Sequence, residues 1–460
     1  MEIRSRMAID GKIEPSVWRF GRLNWLQQNW LRGEPDDPES AHANTLVNRL
    51  PLTRVRIRDL LDVLAAVVAR HESLRTVVTY DQAGVGMQSV QEAPHSPADI
   101  EHVVELLPID VSRRLAELRQ APALDIRREW PVRFVVGHDG GYAHEVYILI
   151  DHSAADEWGL QVLSRDILWG LDVGVHPLLD TGLAVTQPLD MTQWEDSPSG
   201  IKRGRRAVQY WRETFQEISD YISLSGRAQS SPPVGKCRRH ELHSTQLHSA
   251  AVKAATRFKV SKESVFLCAF GWALSLMHDS EVMGVVGLHC NRFFEPELRS
   301  VSLRYTGAPV AISAPRTNSA ETLVRRTHAQ RLKSMSVGYA PPHGLDEVIE
   351  EVLPEASSTA VCGALFNYTE HDSLLESSKA DAPSCSVGEN DRIVVGDDEI
   401  LRGPSLMLRV RSSGDASEVQ LQSRADSGVF AQEERLLKLI SGSVYWMASG
   451  ADWSAFPRSV

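Results

Sequence analysis

One short stretch, Asp151-His152-Ser153-Ala154-Ala155-Asp156-Glu157-Trp158, carries four ionisable side chains within seven residues. An imidazole can take a proton from an attacking nucleophile or hold that nucleophile in place. A carboxylate, Asp156, follows His152 four residues on. Asp151 and Glu157 add two more carboxylates beside the imidazole. Such a cluster suits an acceptor with a positive charge, for example a basic amino acid or a polyamine-like amine. In the alternative reading, both side chains turn into solvent or a surface salt bridge. The spacing alone does not separate a catalytic histidine from a structural one.

The flanking elements give His152 its position. Val146 to Ile150 is apolar on both faces, which predicts a central, buried strand ending at Asp151-His152. The preceding strand, Pro131 to Val136, joins it across Asp139-Gly140-Gly141. A helix follows from about Gly159 to Leu171, with Leu160, Val162, Leu163 and Ile167 inward. Trp25 to Trp30 opens the fold. A helix from Val55 to Arg70 leads into a strand, Val77 to Tyr80, and a turn at Asp81-Gln82-Ala83-Gly84. Another helix is predicted over Val111 to Arg119, and residues 173 to 192 read as a connection broken by Pro177 and Pro188.

After a helix from Ala207 to Ile218, Ser223 to Gly235 is a Ser/Pro/Gly-rich connection. A helix near Thr245 to Phe258 precedes Ser261, a cap for the apolar helix Val265 to Met277, and then the strand Val282 to Leu288. Leu406 to Val410 and Glu418 to Gln422 form a hairpin, and Ala431 to Met447 a last helix. Strands and helices intersperse in both halves, so the expected class is α/β, two sandwiches divided at about residues 1–180 and 181–460.

Composition narrows the function classes. The chain has 460 residues, 42% hydrophobic and 24% charged, with a net charge of -11 that disfavours a nucleic-acid partner. The one basic cluster, Ile201-Lys202-Arg203-Gly204-Arg205-Arg206, reads as a solvated helix start. Five cysteines without a C-x-x-C spacing argue against a disulfide framework and a zinc site. Cys268 and Cys290 sit in apolar runs and read as core. No apolar stretch approaches the roughly 20 residues of a membrane span, and the first residues lack the apolar core of a signal peptide. A cytoplasmic protein without a metal or bound cofactor is the expectation. Gly84-x-Gly86 lacks the context of a dinucleotide site, there is no G-x-S-x-G elbow, and His289 and His343 read as packing or surface histidines.

The segment around His152 resembles the H-H-x-x-x-D-G motif of condensation domains in nonribosomal peptide synthetases. His152 matches the second His, Asp156 the Asp, and Trp158 the aromatic that often follows. Other resemblances fall in the same order along the chain. Arg70-His71-Glu72-Ser73-Leu74-Arg75-Thr76 is similar to R-H-E-x-L-R-T. Leu124-Asp125-Ile126 with Pro131-Val132-Arg133 is similar to F-D-L…P-L-R. Tyr210-Trp211 resembles the Y-W pair that starts the second lobe, Asn291-Arg292 with Pro296-Glu297-Leu298 resembles the G-R-x-x-P-E-L region, and Phe366-Asn367-Tyr368 resembles a later core strand.

This resemblance implies two chloramphenicol-acetyltransferase-like lobes in a V with a tunnel between them, the C-terminal lobe carrying Arg292. It implies a stand-alone acyltransferase of natural-product, and so antibiotic, biosynthesis. An acyl group would pass from a carrier-protein thioester to an amine, or to an alcohol to give an ester. The phosphopantetheine arm would come from an acyl or peptidyl carrier protein acting in trans. His152 would be the catalytic residue and Asp156 with Arg292 a buried ion pair across the lobe junction. Asp151, Glu157, Trp158 and Asn367 would be the substrate-binding candidates. Asp151 and Glu157 replace the family's first His and its Gly, and Tyr305-Thr306-Gly307-Ala308 replaces F-V-N-T. Asp151 with Asp156 also fits the D-x-x-x-x-D of heterocyclisation domains. A degenerate condensation fold that only recruits other proteins is the alternative from another class.

Overall fold

The computed structural model describes residues 17–32, 44–108, 124–179, 184–224, 234–244, 246–314, 319–352, 363–371, 391–396, 398–402, 405–425, 427, 429 and 431–450. The helix expected over Val111 to Arg119 lies outside them, as do residues 225–233 of the Ser/Pro/Gly-rich connection. The chain divides into two compact units. The first is Met1–Gly200 with Arg292–Arg304; the second is Ile201–Asn291 with Tyr305–Val460.

The first unit opens with β1 (Val17–Arg22) and α1 (Trp25–Leu31), followed by β2 (Thr45–Arg56), α2 (Ile57–Arg70), β3 (Thr76–Tyr80), β4 (Gly86–Gln91), β5 (Val104–Pro108), β6 (Val132–Asp139) and β7 (Tyr142–Asp151). Two sheets result, in the orders β1-β4-β3 and β2-β7-β6-β5. β7 is central, antiparallel to β2 on one side and to β6 on the other. Val146, Ile148 and Ile150 are fully buried along it, each worth about 1.5–3 kcal/mol of transfer from water. The β6–β7 hairpin turns through Gly140 (φ 51°) and Gly141 (φ 86°), a left-handed pair that L side chains resist. α3 (Glu157–Val173) follows β7 and packs on α2. The supposed connection then contains two short helices, α4 (Val175–Leu179) and α5 (Pro188–Asp196). Proline opens α5, where its missing N–H costs nothing.

α6 (Pro198–Leu224) carries the chain into the second unit, and the basic cluster forms its exposed first turns. β8 (Val234–His243), α7 (Leu247–Phe258), α8 (Lys262–His278) and β9 (Val282–His289) come next. Asn291 then adopts φ 48°, a conformation Asn tolerates better than most residues, and the chain leaves for Arg292–Arg304. That excursion holds α9 (Glu295–Leu298). The return is through β10 (Thr306–Ser313), α10 (Ala320–Val337), α11 (Pro342–Val352), β11 (Ala364–His371), β12 (Arg392–Val395), β13 (Glu399–Arg402), β14 (Leu406–Ser413), β15 (Ala416–Arg424) and α12 (Glu433–Ser449). The sheet order is β10-β9-β11-β14-β15-β8-β12, with β13 also on β8. α8 is buried from Ser264 to Ser275 and packs against α7, α10 and α12, as an all-round apolar helix must. Tyr210 Oη donates to Pro309 O at 2.5 Å and Trp211 Nε1 to Gly338 O at 2.8 Å, so both rings of that pair are core residues.

The α/β class holds, but the expected division does not. The first unit runs to Gly200 and takes Arg292–Arg304 with it, so Arg292 belongs to the first unit and not to the second. The cause is visible in the contacts: Val301 is buried in the core of the first unit, and the buried carboxylate of Asp156 holds Arg292. Among the described residues no single helix is long and apolar enough to cross a membrane; α7 and α8 pass such a test only as a pair bent by 101°.

Candidate active site

β7 ends by placing His152 just past its carboxyl end. The His152 N–H donates to Asn44 O at 2.7 Å, which fixes the backbone at the mouth of the turn. The imidazole lies against the indole of Trp30, with ring centroids 4.3 Å apart and planes inclined by 38°. His152 is half-buried.

Asp151 shapes the turn. Its Oδ1 accepts from Ser153 N at 2.8 Å and from Ser153 Oγ at 2.5 Å, and its carbonyl accepts from Ala154 N at 3.0 Å. A short acid that hydrogen-bonds its own backbone two residues on is a turn former. The structure therefore gives Asp151 a role in shaping the turn that carries His152.

Asp156 is the N-cap of α3, its Oδ1 accepting from Gly159 N at 2.8 Å. Arg292 meets both carboxylate oxygens, at 2.8 and 2.9 Å, and Arg304 N donates a further bond at 2.9 Å. Both side chains of the pair are 0% exposed. Burial alone would push the Asp156 carboxyl up; the Arg292 charge and the bonds from Arg292, Gly159 and Arg304 outweigh it and hold the carboxyl below its ordinary value. The pair is thus ionised, and it lies within the first unit and not across a junction.

The same excursion is fastened elsewhere. Trp158 Nε1 donates to Leu298 O at 2.9 Å, so this indole clasps the excursion. Ser73 Oγ donates to Val301 O at 2.6 Å and Ser300 Oγ to Thr186 O at 2.7 Å. A Cβ on Gly159 would come within 3.3 Å of Ser302 N, a tight fit that lets the excursion lie close on the first turn of α3. Glu157 opens α3 half-buried, where a negative charge suits the helix dipole. Asn367 lies on β11 in the second unit, buried and level with Arg409 of β14.

The Arg70-to-Thr76 stretch proves to be a hub. Arg70 Nε stands 3.2 Å and His71 Nε2 2.9 Å from Asp166 Oδ2 on α3. Arg19 holds Glu72 at 2.8 Å, and Arg75 donates to Gln91 O. Burial lowers the His71 imidazole despite Asp166, so it is neutral and donates to that carboxylate. His289 is a packing residue, with Nδ1 and Nε2 at 3.1 and 3.2 Å from the carbonyls of Thr306 and Met335, and burial beside Arg331 pushes it down to about 3. His343 is exposed, 3.4 Å from Glu347. Cys268 is core and pushed up to about 12 by burial, whereas Cys290 is only half-buried. Among the described residues no three His, Cys, Asp or Glu side chains converge as metal ligands.

A sequence profile of the condensation domain matches residues 37–370. The chain belongs to the condensation-domain family. Cyclosporin synthetase simA of Tolypocladium inflatum is 25% identical over 263 residues, 52% of this chain. The chain matches 2% of that synthetase's length. Among solved structures, the condensation domain that mediates chain release from the enacyloxin polyketide synthase superposes with a TM-score of 0.73 at 18% identity, covering 99% of this chain and 86% of that one. The first condensation domain of the calcium-dependent antibiotic synthetase, in complex with a substrate analogue, gives a TM-score of 0.65 at 14% identity, covering 96% and 99%. At these identities the likeness is one of fold. The motif resemblance set out above falls on His152, Asp156 and Arg292, with Asp151 and Glu157 at the positions where that pattern has His and Gly.

Two features of this condensation domain escaped the sequence reading. Trp30 was read only as part of the opening stretch, and nothing in its local spacing ties it to His152. Asn44 contributes a carbonyl, which any residue type could supply.

Proposed function

We propose that this chain transfers an acyl group from a carrier-protein thioester to an amine, forming an amide, with His152 at the reacting centre. The observation that carries the reading is the delivery of one imidazole from the end of a buried central strand, gripped at its backbone by Asn44 and at its ring by Trp30. Asp151 and Asp156 are engaged by the turn and by Arg292, which leaves proton handling to the imidazole.

The amine nitrogen attacks the thioester carbonyl carbon; a C–N bond forms and the C–S bond breaks. His152 takes the proton released by the amine and returns it to the departing thiolate of the phosphopantetheine arm, or holds the amine so that this transfer occurs. The arm belongs to the donor, so no bound cofactor enters. The neutral amine and the thioester need only be brought together in line, and positioning of this kind is worth a large part of such barriers.

The test is mass spectrometry of products from a panel of acyl-carrier thioesters and amines, with the wild type and His152→Ala. The variant keeps its fold and loses turnover by about 10²–10⁴-fold, the range typical of general acid–base groups. A folded His152→Ala protein with full turnover removes His152 from the reaction.

A further inference from the structure

The indole of Trp30 is held with more care than a wall residue needs. α1 is seven residues long, yet Asn24 caps it at 3.0 Å to Gln27 N while the Gln27 side chain returns to Asn24 N at 3.1 Å. Glu195 of α5 accepts from Trp25 N at 3.0 Å and also holds Arg22 at 3.0 Å. Leu23 N donates to Gly86 O at 2.9 Å, tying the start of α1 to β4. At the far end of this braced turn the Trp30 ring packs against Leu23, Leu31, Val78 and Ile126 and meets His152 at 4.3 Å.

We infer that Trp30 is a positioning residue for the acyl-transfer step, its indole fixing the ring orientation of His152 through a close, tilted ring contact. The inference rests on the proposed role of His152. Backbone bonds fix where the His152 Cα stands, but the ring of a histidine turns about its terminal torsion in a broad, two-fold well. A second flat ring at 4.3 Å restricts that freedom, because neighbouring aromatic rings favour defined offset or edge-on arrangements over free rotation. Misplacing a reacting group by about 1 Å can cost on the order of 10²-fold in rate, so a free imidazole ring is a poor catalyst even with its backbone in place.

Three variants separate the ring from its bulk. Trp30→Ala and Trp30→Leu lower kcat by about tenfold to a hundredfold with KM for the thioester little changed, and Trp30→Phe restores most of it, since only Phe keeps a π face. Trp30→Leu fills the apolar seat beside Leu23 and Val78, so its melting temperature stays close to that of Trp30→Phe. A Leu variant as active as the Phe variant shows that bulk alone matters and overturns the inference. An independent readout needs no substrate. In protein carrying 13C-labelled histidine, the His152 carbon-bound ring protons, assigned by their loss in His152→Ala, are shifted upfield by the indole and move back in Trp30→Leu. Unshifted His152 protons in the wild type mean the rings do not stack, which also overturns it. Should His152→Ala itself prove fully active while the upfield shift is present, the proposed function fails and the stack stands; a shift present with Trp30→Leu fully active sinks the positioning role alone.

Discussion

Asp156 sits in a cage of four donors: two from Arg292 and the N–H groups of Gly159 and Arg304. Its replacement by Ala strands the Arg292 guanidinium at full burial. Breaking such a pair costs about 3–5 kcal/mol, far above the roughly 1 kcal/mol of a lost N-cap. Asp156→Ala is therefore expected to lower the urea midpoint sharply or to yield insoluble protein, whatever it does to turnover. The double variant Asp156→Leu with Arg292→Met removes both charges and recovers part of that midpoint. A midpoint in Asp156→Ala equal to wild type would mean that the pair contributes nothing. Activity loss on mutating this Asp is thus a statement about folding before it is one about chemistry.

At the scale of elements, the decisive unit is β7, its turn, α3 and the excursion Arg292–Arg304 laid over α3's first residues. Trp158→Phe deletes the indole bond to Leu298 O and keeps the packing, at a cost of about 0.5–1.5 kcal/mol. The loss is local, so it should appear as faster hydrogen exchange at the Arg304 amide, which Asp156 protects, with little change at Ile148 in β7. Unchanged exchange at Arg304 would show that Trp158 does not fasten the excursion.

β7, the β6 hairpin and α3 were legible because each carries a strong period or turn signal; α3 begins at Glu157, two residues before the expected start. β2 was missed. It is an edge strand with Pro51 in it, a register shift between Pro51 and Val55 and Arg54 at φ 49°, so alternation breaks where the pairing breaks. α4 and α5 were missed because helices of five and nine residues show too few turns for a period to emerge. The pairing of Asp156 with Arg292 was legible through the ordered motifs. The Trp30 stack was not, since contacts between distant residues leave no local pattern.

For the molecule as a whole, buried imidazoles set an acid limit. His71 in the first unit and His289 in the second are held neutral, below the 6.5 of an unfolded histidine. Where pH lies below 6.5 and above the folded value, the unfolded chain binds the proton and the folded one does not, so stability falls as pH falls. Each such group steepens that loss by about 1.4 kcal/mol per pH unit, and it is fully absent above 6.5. Asp156, lowered in the fold, adds its own loss only in stronger acid, below the 3.8 of an ordinary carboxyl. The urea midpoint should therefore be flat from pH 8 to 7 and drop clearly by pH 5; a midpoint that is level down to pH 5 would rule out both histidines as neutral.

The excursion Arg292–Arg304 also has a consequence in time. A ribosome that has made residues 1–200 has not yet made Val301, which fills part of the first core, or Arg292, which answers Asp156. At roughly 5–20 residues per second the missing piece arrives about 5–20 s later. During that interval the nascent first unit has an open core and an unanswered carboxylate, which makes it a client for chaperones and a poor candidate for expression as a fragment. Recombination at a single junction between the units would likewise pair the first unit with a foreign plug, so exchange of a whole unit between relatives must carry three crossovers, after Gly200, after Asn291 and after Arg304.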